Sequence, residues 1–172
     1  MFAIAFTMMS LSSFAQETFF GFTAGYLNAE FKVSERSVSF SDEGSGFYVG
    51  VLANIALNES WHIVPGVNYG NVEETSLLFI PVMAQYHIAT SGIFFQAGPQ
   101  ATLNLEEDQG GFNKTVGIDA GFGLGYEIND HFFVEAKYAL ELTNRFTDRI
   151  RETGDDFSLK LNTLTVGLGY KF

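Results

Sequence analysis

The stretch GIDAGFGLGYEINDHFFVEAKYALEL, Gly117 to Leu142, decides the fold. Its first half sets Ile118, Ala120, Phe122, Leu124, Tyr126 and Ile128 on alternate positions, with Asp119, Glu127 and three glycines between them. Asn129 and Asp130 follow, and then Val134, Ala136, Tyr138, Leu140 and Leu142 alternate with Glu135, Lys137 and Glu141. Successive side chains of a strand point to opposite faces, so a period of two makes one apolar face and one polar face. An Asn-Asp pair between two such runs is hairpin chemistry. If Ile128 stands opposite Phe132, then Gly123 faces Lys137, Gly125 faces Glu135 and Asp119 faces Glu141. An apolar outside with a charged, glycine-lined inside is the pattern of a strand that crosses a membrane in a closed barrel.

The same period extends in both directions. Strands are expected over Phe20 to Phe31, Phe47 to Leu57, Trp61 to Tyr69, Leu77 to Ile88, Ile93 to Leu105, Val116 to Ile128, Phe132 to Phe146 and Leu161 to Phe172. That makes eight, an even number, as a single-chain bacterial barrel requires. No run approaches the roughly 18 to 20 apolar residues of a spanning helix, so any crossing is made by strands. The connections alternate in length. Asn58 to Ser60, Thr90 to Gly92 and Asn129 with Asp130 are tight, whereas Val33 to Ser45, Glu106 to Lys114 and Thr147 to Ser158 are longer, with the shorter Asn71 to Ser76 as the exception. Short periplasmic turns and long extracellular loops produce that alternation, which places both termini in the periplasm. Pro65, Pro81 and Pro99 fall inside expected strands, where bulges or one-residue slips are expected because proline donates no ladder hydrogen bond.

LLFIPVMAQYHI (Leu77 to Ile88), IFFQAGPQATLNL (Ile93 to Leu105), GIDAGFGLGYEI (Gly117 to Ile128), HFFVEAKYALEL (His131 to Leu142) and TVGLGYKF (Thr165 to Phe172) resemble the outer-membrane protein β-barrel domain family, the small porin-like barrels of Gram-negative bacteria. The resemblance runs from Phe20 to Phe172. It implies an all-β, transmembrane, up-and-down antiparallel barrel of eight strands, integral to the bacterial outer membrane. It carries over no catalytic residue. The ending Val166, Leu168, Tyr170 and Phe172 also resembles the C-terminal signal read by the barrel-assembly machinery.

The first fifteen residues, MFAIAFTMMSLSSFA, read as the apolar core of a secretory signal, with Ser13 and Ala15 placed for cleavage before Gln16. The expected division is therefore a signal peptide over residues 1–15 and a barrel domain over 16–172. No Lys or Arg precedes Glu17, so a start inside a longer signal is expected.

Composition narrows the function. The net charge of −11 repels polyanions and excludes nucleic acid as a partner. The absence of cysteine excludes disulfides, thiolate metal sites and a cysteine nucleophile. The inward residues include Asp119, Glu135, Lys137, Glu141 and Arg145 together with Asn54, Asn68, Gln85, Gln96, Gln100 and Asn104. Unpaired buried charge is costly, so these are expected to form a polar network in which Arg145 or Lys137 serves Asp119 and Glu141. Aromatic residues are expected to form two interface belts: Phe20, Trp61, Tyr86, Phe95, Phe132, Tyr170 and Phe172 near the turns, and Phe31, Phe47, Tyr69 and Phe146 near the loops.

The expected function is a structural or interaction role presenting acidic extracellular loops, including one as a subunit of a larger outer-membrane assembly. The expected partners are outer-membrane lipid and lipopolysaccharide, the assembly machinery during biogenesis and another outer-membrane complex. A narrow porin-like channel is the alternative, followed by a soluble lipocalin-like carrier and a lipid-modifying enzyme. His62, His87 and His131 all lie by the short turns, on the wrong side for a catalytic base at outer-leaflet lipid, so no enzymatic activity is expected. Neither a cofactor nor a metal-ligand set is expected, since the acidic clusters lack calcium-loop spacing.

Overall fold

Every expected run of period two is a strand in the computed structural model, which describes residues 18–35, 38–73, 75–105, 116–143 and 157–172. The elements are β1 (Thr18–Glu35), β2 (Val38–Ala56), β3 (Trp61–Val72), β4 (Thr75–His87), β5 (Ile93–Asn104), β6 (Val116–Glu127), β7 (Phe132–Glu141) and β8 (Phe157–Lys171). Each pairs antiparallel with its sequence neighbours, and β1 closes the ring on β8 from Gly21↔Lys171 to Glu35↔Phe157. Closure gives every strand two partners, the condition for crossing a hydrocarbon layer with strands. The expected signal at residues 1–15 lies outside the described residues.

The β6–β7 hairpin has the register its turn implies: Gly123↔Lys137, Gly125↔Glu135 and Asp119↔Glu141. Asn129 sets it, its Oδ1 accepting from the His131 and Phe132 amides at 2.9 Å each. Asn58 does the same for Ser60 and Trp61, so one Asx device builds two turns.

The prolines cause no bulge and no slip, contrary to expectation. Pro65 stays paired with Val82 on β4, and its pairing with β2 lapses only between Leu52↔Gly66 and Ile55↔Ile63. Pro81 keeps Gln100 on β5 and lapses toward β3, and Pro99 keeps Ala120 on β6 and lapses toward β4. Each lapse spans equal numbers of residues on both strands, so the register continues. The reason is geometric: a residue's N–H faces one neighbour only, so its loss interrupts one ladder and leaves the other whole.

The expected Val33 to Ser45 loop is also corrected, because β1 and β2 stay paired as far as Glu35↔Val38. Backbone pairing does not require an apolar face, so a ladder can run on past the alternation that announces it. Asn71 to Ser76 tightens likewise to Val72↔Thr75, with Glu73 at a positive φ of 53°. Residues 106–115, with the expected Glu106 to Lys114 loop, and 144–156 lie outside the described residues, and the last two residues of the expected Thr147 to Ser158 loop, Phe157 and Ser158, belong to β8.

Candidate functional site

The inward faces fill the barrel in layers. At the turn end, β3 and β4 bring His62 and His87 into a stack with ring centroids 4.1 Å apart and planes at 26°. His62 Nδ1 donates to Asn54 Oδ1 at 2.6 Å, and His87 Nε2 donates to Gln85 Oε1 at 3.2 Å. His87 Nδ1 faces Glu127 Oε1 at 3.8 Å, and Lys171 Nζ holds the same oxygen at 2.5 Å. Phe94 and Phe133 complete the layer, packed edge to face at 6.2 Å.

A chain of amides leads from this layer to the middle. Gln85 Nε2 donates to Gln96 Oε1 at 3.3 Å, Gln96 Nε2 donates to Glu135 Oε2 at 2.9 Å, and Lys137 Nζ binds Glu135 Oε1 at 2.6 Å. Lys137 also lies 5.9 Å from the centroid of the Tyr48 ring, whose hydroxyl meets Thr23 Oγ1 at 3.1 Å. Asp119 accepts from Gln100 Nε2 at 3.1 Å and from Thr102 Oγ1. Glu141 accepts from the Leu161 amide at 2.5 Å and from Thr143 Oγ1 at 3.2 Å. Each strand contributes from alternate positions, so residues distant in sequence share a level across the ring.

The loop end is apolar. Leu27, Ala29, Tyr48, Val72, Leu77, Phe79 and Leu161 form one buried cluster, against which Phe31 packs. The expected polar network is thus joined by an apolar layer, and Phe31, expected in the outer belt, lies inside with Leu27 and Ala29. Space is closed by pairing large rings with glycine: Phe94 covers Gly125, Phe133 covers Gly169 and the Tyr48 hydroxyl covers Gly167, each leaving no room for a Cβ. A void beside Tyr48, Gln100 and Lys137 and another beside Asn54, Gln85 and Glu127 measure about 10 Å³ each, room for a single water.

Of the five inward charges singled out above, Asp119, Glu135, Lys137 and Glu141 are placed inside, and Arg145 lies outside the described residues. Lys137 pairs with Glu135, Asp119 accepts from Gln100 and Thr102 of β5, and Glu141 accepts from the Leu161 amide of β8, whereas the expected service of Asp119 and Glu141 by Arg145 lies outside the described residues. On the outer wall, Phe20, Trp61, Tyr86, Phe132 and Phe172 are exposed, as are Val166 and Leu168. Trp61 packs on Tyr86 at 5.1 Å, and Tyr170 lies 5.0 Å from Phe132 and 5.6 Å from both Phe22 and Phe172. Phe146, expected in the loop-side belt, lies outside the described residues.

Two features escaped the sequence reading. The histidine stack with Glu127 and Lys171 had no local signal, because its members come from four strands. The apolar cluster did have one: in Leu77-Leu78-Phe79-Ile80 both faces are apolar, and the adjacent phenylalanines at 94–95 and 132–133 are the same signal for the rings of the turn-end layer. Among the described residues no three His, Asp or Glu converge in a way that could hold a metal ion.

The family model for the outer membrane protein beta-barrel domain matches residues 1–172. The fold is similar to that of Ail, the attachment invasion locus protein of Yersinia pestis, at 18% identity over 91% of this chain and 100% of that one, with a TM-score of 0.50. It is similar to Neisserial surface protein A at 19% identity over 88% of this chain and 97% of that one, with a TM-score of 0.52. Ail in complex with the heparin analogue sucrose octasulfate gives 17% identity, 91% and 100% coverage, and a TM-score of 0.51. At such identities the likeness establishes the fold. No curated protein matches the chain.

Proposed function

Because the chain belongs to the outer membrane protein β-barrel domain family and is thus integral to the outer membrane, we propose that it serves as a structural or interaction barrel rather than as a pore or an enzyme. The observation that carries this reading is the filled interior among the described residues. The apolar cluster of Leu27, Tyr48, Leu77, Phe79 and Leu161 stops the loop end, and the voids below it are water-sized. Ions crossing such a bore would shed their hydration against apolar side chains, which is prohibitive.

What remains available for function is the outer surface and the loop end. There β1 stays flanked by β2 and β8 through Glu35, well beyond Gly46↔Val72, the last pairing of β2 with β3. The three strands form a raised wall that carries exposed Asp42 and Glu43. In this reading the turn end and both chain ends face the periplasm, residues 1–15 direct export, and Val166, Leu168, Tyr170 and Phe172 are read during assembly. Outer-membrane lipid and lipopolysaccharide surround the wall. Ail is by its name an attachment protein, and a surface-contact role suits the same fold, but a sulfated polyanion does not suit a chain of net charge −11.

Planar-bilayer recording of the folded wild-type protein tests the reading. No unitary current steps are expected. Reproducible steps that vanish when Phe79 or Tyr48 is replaced by a bulkier residue would instead establish the narrow channel.

A further inference from the structure

The turn-end layer is built as a charge-limited device. His87 is sandwiched between the His62 ring at 4.1 Å and the Phe94 ring at 5.1 Å, both at 26°. Asn54 Oδ1 and Gln85 Oε1 are acceptors, so they keep a proton on His62 Nδ1 and on His87 Nε2. Gln85 is oriented in turn through Gln96 by the Glu135 carboxylate. The nitrogens left to take further protons are therefore His87 Nδ1, facing Glu127, and His62 Nε2.

The charges around the pair are few. From β6 comes Glu127 and from β8 Lys171, already paired with each other at 2.5 Å. From β2, β4, β5 and β7 come the neutral Asn54, Gln85, Phe94 and Phe133, and β1 brings Gly21 opposite Lys171. His131 touches the Lys171 carbonyl from outside the rim. One added proton on His87 Nδ1 has Glu127 to face. A second, on His62, would stack imidazolium on imidazolium beside Lys171, with Glu127 as the single carboxylate among these groups.

We propose that the His62–His87 stack is an acid-operated latch on the turn-end mouth of the barrel, closed while the pair carries at most one added proton and parted when both rings are charged. Parting the rings uncovers Phe94 and opens the Gln85–Gln96–Glu135 chain to water from the turn end. The loop-end apolar cluster contains no titratable carboxylate or histidine, so it stays shut. The device thus changes the shape of one mouth without making a through-channel.

Trp61, the chain's single tryptophan, precedes His62 on β3, points to the outer wall and packs on Tyr86 of β4, which precedes His87, so its emission reads a shift of β3 against β4 when the rings part. The folded protein in phosphatidylcholine vesicles is titrated from about pH 7.5 to about pH 3.5, a range wide enough to charge stacked, half-buried imidazoles beside Lys171 as well as exposed ones. A reversible change in Trp61 emission is expected in the wild type and in His131→Ala. It is expected to be lost in His62→Phe and in His87→Phe, which keep a ring in the stack but cannot take the proton. His62→Gln and His87→Gln serve if a phenylalanine variant fails to fold. Imidazole NMR should show the pair titrating in two separated steps in the wild type and the remaining ring in one step in each single variant. An unchanged emission response in either position's variant overturns the proposal, as does its loss in His131→Ala or a single shared step for both wild-type rings.

Discussion

Lys137 Nζ sits 2.6 Å from Glu135 Oε1, two positions along the same strand and on the same inner face, with the two side chains only 12% and 3% exposed. A strand places residues i and i+2 side by side, so this pair needs no long-range contact to meet. The barrel wall then seals it from water, and Gly123 and Gly125 on β6 leave the space in which it lies.

Replacing Lys137 by Met while leaving Glu135 in place should therefore cost about 3 to 5 kcal/mol, the penalty for stranding one partner of a buried pair. Reversible urea unfolding in lipid vesicles measures it. The double change Lys137→Met with Glu135→Gln should cost less than the sum of the two single changes, since no charge is then left alone. A neutral Lys137→Met would show that water reaches the pair.

The packing of rings on glycines predicts a rescue. Phe94 stands opposite Gly125 and lies over it, so Gly125→Ala forces the ring to move and should cost about 1 to 3 kcal/mol by overpacking. Phe94→Leu in the same chain should recover part of that loss. If the two changes together destabilise by the full sum, the ring is not what meets the new methyl group.

Topology predicts a division of the connections in intact cells. A membrane-impermeant thiol reagent should label Ser41→Cys, Gln109→Cys and Gly154→Cys, and should spare Asn58→Cys, Ser91→Cys and Asn129→Cys in the tight turns. Ser41 lies on the part of β2 that pairs with β1 above the rim, at Lys32↔Ser41, and should label despite its place in a strand. Equal labelling of Ser91 and Gln109 would invert or discard the assigned orientation.

Much of this architecture could be read from residues close together in the chain. Period two assigns each residue to a face, turn composition marks each short hairpin, and the Asn129–Asp130 turn alone implies the pairing of Gly123 with Lys137. These are local rules, since each depends only on residues that a strand or a tight turn brings together. They therefore determined the strand count, the faces, the even parity and the outward aromatics such as Trp61 and Tyr86. They did not determine how far a ladder runs past its apolar face, because polar residues pair their backbones equally well, and so the raised β1–β2 wall was read as a loop. Nor could they say which inward side chains meet. Glu135 reaches Gln96 across 39 residues and Lys171 reaches Glu127 across 44, contacts set by the stagger of the closed ring and by β1 meeting β8. The His62–His87 stack and the donors to Asp119 and Glu141 join neighbouring strands and follow from their register, whereas the meeting of Glu127 with His87 and Lys171 and the apolar stop at the loop end exist only once the ring has closed, because closure brings inward residues of non-neighbouring strands to the same level.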